Sequence, residues 1–203
     1  MSLFITFEGA DGCGKTTQIE LLNKYLQEKG FKTLVTREPG AKGLGEKLRE
    51  ILLNYDGEVS PNCESFLFLA DRAQHVDCVI KPALKDGVIV LCDRHTDSTV
   101  AYQGYGRQLD IEQIKKLNEI AVNGLKPDLT IVFDIDIETS MQRVGKTKDR
   151  MESAGMDFFN RVRNGYLAIA KDEPNRVKVI NAADTIDKIH NQVVELVEKA
   201  VNK

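Results

Sequence analysis

Apolar residues along this chain keep two different rhythms. Short runs, apolar or β-branched on successive residues, recur at 3–7, 33–36, 88–92, 129–133 and 177–180; longer amphipathic stretches fill the intervals. Runs apolar on both faces suit the centre of a parallel sheet covered by helices on each side. Right-handed crossovers then bring the carboxyl ends of all five strands to one rim. The pattern predicts an α/β fold, a five-stranded parallel sheet with helices on both faces, and a ligand site on that rim.

Helix ends are marked as well. Gly30 is placed to close the helix after the first strand, Asp110 with Gln113 reads as a capping pair, and Gly124 with Pro127 ends the helix that starts there. Asp184 or Thr185 caps the last helix, whose Ile186, Ile189, Val193, Val197 and Ala200 form one core-facing stripe. Phe66 reads as a core residue of its segment.

With 203 residues, 42% of them hydrophobic, the chain can close one sizeable core, so residues 1–203 are expected to form a single domain with a small appendage. A formal net charge of −3 argues against a nucleic-acid surface; anions must be met by local clusters, and the partner is small. Cys13, Cys63, Cys78 and Cys92 show no CxxC pair and no metal-ligand spacing, which predicts reduced thiols in a cytoplasmic protein without zinc. The amino terminus carries no basic leader, Glu8 interrupts the first apolar run, and no window is long enough to span a membrane. A soluble protein with no membrane partner is expected.

The candidate chemistry begins at residues 9–16. Gly9, Ala10, Asp11, Gly12, Cys13, Gly14, Lys15 and Thr16 spell GxxxxGK[ST], followed by Thr17, directly behind a predicted strand and ahead of a helical pattern. Glycines let successive backbone N–H groups turn inward around an anion, the helix start adds partial positive charge, and Lys15 is long enough to reach the outer phosphates of a nucleotide. Thr16 offers a hydroxyl to Mg²⁺. A merely structural glycine turn is the competing reading, and the strand-loop-helix context weighs against it.

A phosphate loop alone does not separate kinases from hydrolases, switches or motors. The run 88–92 leads into Asp93 and Arg94, so a carboxylate suited to Mg²⁺ and a planar guanidinium suited to a second phosphate fall together at a strand end. A salt bridge between the two neighbours is disfavoured, because adjacent residues on a strand point to opposite faces. Arg37, Glu38 and Pro39 bring another arginine and a tight turn to the same rim. Two arginines facing a phosphate loop imply an acceptor that is itself phosphorylated. Arg143, Lys146, Lys148 and Arg150, with Arg161 or Arg163 beyond, form a basic stretch that alone would read as a solvated face. Beside a nucleotide site it reads as a short mobile lid, about residues 143–155, that closes over polyphosphate.

Six blocks, EGADGCGKTT, TREPG, FLFLADRAQH, LCDRHTDSTVAYQGYGR, NGLKPDLTIVFDI and DRMESAGMDFFNRVRNGYLAIA, follow one another in order. Together they resemble the bacterial thymidylate kinase family from the first strand to about residue 170. The resemblance implies a P-loop kinase fold, transfer of a phosphoryl group from ATP to dTMP with Mg²⁺, and a homodimer. It places residues 9–17, Arg143, Asn181 and Ala182 around ATP, and Asp11 near the acceptor's sugar and phosphate. Phe68 and Arg72, one helical turn apart, match an aromatic ring stacked on thymine and an arginine reaching its O4 edge; alone, Phe68 would read as core. Arg37 and Arg94 match the acceptor-phosphate clamp, with Glu38 and Pro39 in the same turn. Ser98, Thr99, Tyr102 and Gln103 match the nucleoside lining, where Tyr102 disfavours a ribose 2′-hydroxyl. Thr16 and Asp93 match the metal site, and Lys15, Arg94, Asp11 and a lid cation, Arg150 first, match the catalytic set.

Three departures stand out. The family's TREPGG continues here as Gly40, Ala41 and Lys42, Tyr105 replaces a smaller residue, and Gly12 stands where some relatives carry a loop arginine. The last departure leaves the transferring charge to the lid. Rival readings are a kinase of another nucleoside monophosphate, a hydrolase or GTP switch, and a silent nucleotide sensor. Against the switch, no NKxD motif is present.

Overall fold

The computed structural model of the chain describes residues 2–143 and 155–201. Strands β1 (Leu3–Glu8), β2 (Thr33–Arg37), β3 (Ile89–Asp93), β4 (Leu129–Asp134) and β5 (Val177–Asn181) fall on the five predicted runs. They form one parallel sheet in the order β2-β3-β1-β4-β5, with Phe7 opposite Asp93 and Ile131 across β1. The chain leaves β1 toward β2 and leaves β4 toward β5. Neighbouring strands thus send their connections to opposite sides, and a crevice opens at their carboxyl ends. Every residue of β1 is buried, whereas the edge strands expose Val35 and Val179.

Helices cover both faces. On one side α1 (Lys15–Glu28) and α9 (Ile186–Val201) bring Ile19, Leu22, Leu26, Ile189, Val193 and Val197 against Phe7 and Phe133. On the other, α8 (Met156–Asp172) packs Phe158, Val162 and Tyr166 against the π-helical segment Val100–Gly106, with Ile114 of α6 (Ile111–Val122) in the same cluster. Side chains such as Leu22 and Val162 are wholly buried, and each contributes roughly 1.5–3 kcal/mol by leaving water. Between β2 and β3 run α2 (Leu44–Asn54) and α3 (Pro61–His75), the latter continuing through a π-helical turn, Val76–Ile80, into α4 (Lys81–Lys85). Short helices α5 (Thr96–Thr99) and α7 (Ile137–Arg143) follow β3 and β4.

The helix ends obey the sequence with small corrections. Gly30, at φ 85°, lets its own N–H reach Gln27 O and the Phe31 N–H reach Leu26 O, the paired bonds of a left-handed helix stop. Asp110 accepts from the Gln113 N–H at 3.0 Å. Asn123, at φ 46°, takes the first left-handed position after α6, ahead of Gly124. Thr185, rather than Asp184, caps α9 through the Lys188 N–H.

Two residues assigned to the core lie outside it. Ile186 is 57% exposed because its first turn meets α1 through the backbone: its carbonyl accepts from Gln18 Nε2. Phe66 is also 57% exposed. On α3 the inward face is taken by Glu64, Ser65, Leu69, Arg72 and His75, so Cys63, Phe66, Ala70 and Gln74 form the outward stripe. Tyr105 is explained by its neighbour: a Cβ at Gly165 would meet its ring at 2.8 Å, so a glycine on α8 makes room for the larger side chain. No helix among the described residues is long and apolar enough to cross a membrane.

Candidate active site

The phosphate loop is built from backbone. A side chain at Gly9 would meet Phe133 O at 2.6 Å, and Gly12 and Gly14 hold φ of 78° and 91°, which side chains strain to adopt. Lys15 opens α1 and folds its ammonium back onto Gly9 O and Ala10 O, both at 3.0 Å, with Cys13 Sγ at 3.7 Å. None of these three partners carries a full negative charge, so a bound anion would compete for the cation. Ser140 on α7, which the sequence did not single out, donates to Asp11 O and ties the loop from the far side.

Facing the loop is a cleft of about 260 Å³. Asp11 and Thr16 come to it from the loop, Arg37, Glu38 and Pro39 from the end of β2, and Phe68 and Arg72 from α3. Asp93 and Arg94 enter from the end of β3, and Ser98, Thr99, Tyr102 and Gln103 from the helical turns after it. The candidate acceptor residues converge although they span nearly half the chain. A π-helical turn at Val100–Gly106 makes room for this: Tyr102 and Gln103 are adjacent in sequence, yet both are buried and both line the cleft.

Arg94 sits just past β3 in the left-handed region, φ 67°, a conformation that costs an arginine about 1–3 kcal/mol. The surroundings hold it there. Its N–H reaches Phe7 O at 3.0 Å, Nη2 donates to Asp11 Oδ1 at 2.8 Å, and the guanidinium lies 5.0 Å above the Tyr102 ring. It therefore pairs with Asp11 across the loop rather than with its neighbour Asp93. Burial by itself would raise the Asp11 carboxyl, but the charges of Arg94, Lys15 and Arg49 outweigh it and hold Asp11 at about 2. Asp93 Oδ1 is buried without a hydrogen-bond partner among the described residues. Asp93 and Thr16 line the same cleft, and a carboxylate and a hydroxyl are the oxygen donors that suit a hard divalent cation.

Arg72 differs from its expected role in degree. It is buried, and four of its five N–H groups are spent on protein: Nε on Glu38 Oε2 at 2.8 Å, Nη1 on Thr99 Oγ1 at 2.8 Å and Asn118 Oδ1 at 2.6 Å, Nη2 on His95 O at 2.9 Å. Glu38, expected to touch the acceptor, lines the cleft and is also the hub of this network. Its Oε1 also pairs with Nδ1 of His75 and of His95, at 2.8 and 2.9 Å. Burial would raise the Glu38 carboxyl; His95 and Arg72 bring it well below its usual range. Gln103 is fixed in turn by donating to buried Glu64 at 2.9 Å.

Arg143 donates to Ala182 O at 3.3 Å and Asn181 accepts from the Ala183 N–H, so Arg143, Asn181 and Ala182, all expected around ATP, lie together. Arg161 and Arg163 are removed from the lid set: Arg161 donates to Gly106 O, and Arg163 grips Asp134 at 2.6 Å. Lys146, Lys148 and Arg150 lie outside the described residues, as does most of the stretch 143–155. Arg49 is a cleft residue the sequence did not reveal. It lies on α2, lines the cleft and donates to Pro39 O at 2.9 Å.

A parallel sheet in this order with the phosphate loop after its first strand is the P-loop kinase fold. Residues 7–193 match the thymidylate kinase family, and the chain belongs to it. It is 47% identical to a thymidylate kinase of Geotalea daltonii, covering 100% of this chain and 99% of the other. Identity to a thymidylate kinase of Pelotomaculum thermopropionicum is 48%, over 98% and 94% of the two chains. The crystal structure of thymidylate kinase from Ehrlichia chaffeensis superposes with a TM-score of 0.81 at 38% identity, over 97% of this chain and 98% of that one.

Proposed function

We propose that the cleft and the loop divide the thymidylate kinase reaction between them, the loop holding ATP and the cleft holding dTMP. The activity is ATP-dependent phosphorylation of dTMP to dTDP, a step in nucleotide biosynthesis. Transfer is direct and in line. A phosphate monoester oxygen is already a competent nucleophile, so positioning and charge neutralisation supply the rate. Loop amides and Lys15 hold the donor phosphates, with Arg143, Asn181 and Ala182 toward the adenosine end. Arg94 and Arg37 hold the acceptor phosphate, Asp11 orients Arg94, and Arg49 adds a third cation. Bound Mg²⁺ would neutralise charge on the phosphates, with Thr16 and Asp93 as its protein ligands. The bridging lid cation is assigned to Arg150.

The observation that carries the base assignment is the hydrogen-bond count at Arg72. Among the described residues one N–H, on Nη2, is left over in a side chain that lines the cleft with Phe68. A single fixed donor suits one carbonyl acceptor, the O4 of thymine, and meets the amino group of cytosine donor to donor. Phe68 then stacks on the base, while Tyr102, Ser98, Thr99 and Gln103 line the sugar.

Exposed Ile51 on α2, Tyr55 just past it, Phe66 on α3 and Ile120 on α6 support a homodimer, which sedimentation measures directly. Free Cys13, Cys63, Cys78 and Cys92 support a cytoplasmic setting, and the one continuous sheet supports a single domain with its lid at 143–155. The test of the reaction is ADP release from Mg·ATP with dTMP, dUMP, UMP, CMP, AMP or no acceptor, with Lys15→Ala as control. Release mainly with dTMP is expected; equal release without acceptor would overturn the assignment of the cleft.

A further inference from the structure

Beneath the acceptor cleft lies a buried carboxylate to which the roles above give no task. Glu8 ends β1, one residue before the phosphate loop, and has no exposed surface. Its Oε1 accepts from the His95 N–H at 2.8 Å. Its Oε2 accepts from the Ser98 hydroxyl and from the Tyr166 hydroxyl, the latter at 3.1 Å. The two hydroxyls also touch each other at 2.8 Å, and both accept from Arg94 Nη1, at 3.3 and 3.2 Å.

Counting protons gives this cluster a direction. A hydroxyl carries one proton and two acceptor sites, and an ionised carboxylate only accepts. With Glu8 ionised, the Ser98 proton points at Glu8, and the Tyr166 proton points at Glu8 or at Ser98. Neither is left to oppose Arg94, so both oxygens turn lone pairs toward Nη1. A neutral group in the same place brings a donor of its own, and a hydroxyl proton is then free to turn toward the guanidinium. Arg94 needs this second anchor, because its other terminal nitrogen is held by Asp11 at 2.8 Å and a phosphate must compete with Asp11 for it.

We propose that Glu8 is a positioning residue for phosphoryl transfer, aiming the Arg94 guanidinium at the acceptor phosphate through Ser98 and Tyr166. The proposal rests on the reading of Arg94 as the acceptor-phosphate clamp. It places the control of that clamp at the end of β1, next to the donor loop, so both substrates are registered against one strand end.

The surroundings make the ionisation of Glu8 observable. Burial and the charge of Asp97 push its carboxyl up to about 7, against the downward pull of Ser98, Arg94 and His95. The titratable and charged groups around it are Arg94 and His95 after β3, Cys92 within β3, Asp97 on α5 and Tyr166 on α8. Asp97 is itself paired with Arg176 at 2.7 Å.

The test compares wild type, Glu8→Gln, Arg94→Ala and the double variant by steady-state kinetics in each substrate, at about pH 6 and about pH 8, either side of the Glu8 value. Glu8→Gln is expected to raise the KM for dTMP about five- to twentyfold at the higher pH, with the KM for ATP within about twofold. The ratio to wild type, which cancels the titration of dTMP itself, should shrink at the lower pH as wild-type Glu8 takes up its proton. In the Arg94→Ala background the same substitution should add nothing. An unchanged dTMP KM, equal effects on both substrates, a ratio independent of pH, or additive effects in the double variant would each overturn the proposal. Should Glu8→Gln fail to fold, Tyr166→Phe keeps the carboxylate and removes one relay; it must still raise the dTMP KM selectively, and no change overturns the proposal. Arg94→Ala that leaves the dTMP KM unchanged overturns the underlying clamp, and is recognised from that variant alone.

Discussion

Residues 9–16 bring their donors as one piece of backbone, whereas the acceptor cleft draws side chains from the end of β2, α2, α3, the end of β3 and the turns that follow it. The loop needs glycines at three left-handed positions and a helix behind it, and almost nothing from the rest of the molecule. The cleft needs buried polar anchors. Glu38, Glu64 and Glu8 are each removed from water and each hold donors that line or support it. The contrast teaches that the two halves should fail differently. A defect in the loop stops chemistry in a folded protein, while a defect behind the cleft leaves a buried charge unpaired and weakens both the acceptor site and the fold.

The largest break is expected at the hub. Glu38→Ala leaves buried Arg72 without its carboxylate and both histidines without their shared acceptor, a loss of about 3–5 kcal/mol of stability in urea unfolding, with dTMP binding impaired. A variant as stable as wild type would remove Glu38 from the centre of that network. Next is Lys15→Ala, expected to lower kcat by about 10²–10³-fold while Tm and the KM for dTMP stay near wild type. A selective loss of dTMP affinity would instead place the lysine on the acceptor side.

Smaller effects sharpen the comparison within the cleft. Phe68→Ala should cost about 1–3 kcal/mol of dTMP binding by calorimetry with ATP binding intact, and equal weakening of both nucleotides would contradict the stacking role. Asp71 supplies the smallest and most pH-specific test. Burial and the nearby charge of Glu38 push its carboxyl up to about 6, although it accepts from the Gly40 N–H. A carboxyl raised on folding binds its proton more tightly in the native state, so stability is lost as pH rises from about 4 through about 6. Asp71→Asn should therefore melt a few degrees higher than wild type at alkaline pH and no higher at strongly acidic pH. A constant difference across the range would point to packing rather than charge.

By itself the sequence determined the five strands, the phosphate loop, the stop at Gly30, the cap at Asp110 and the arrival of Arg37 and Arg94 at one rim. Each depends on local periodicity or on backbone conformations that few residues tolerate, and parallel topology carries strand ends to a common edge. Only the tertiary structure decided that Phe66 faces outward, that Glu38 holds an arginine and two histidines, that Arg49 reaches the cleft and that Arg163 is spent on Asp134. It also decided the partners of Glu8, one of which lies 158 residues away. The reason is physical: a charge in an apolar run signals only that something must satisfy it once it is buried, and the donor that does so is chosen by packing across the fold rather than by spacing along the chain.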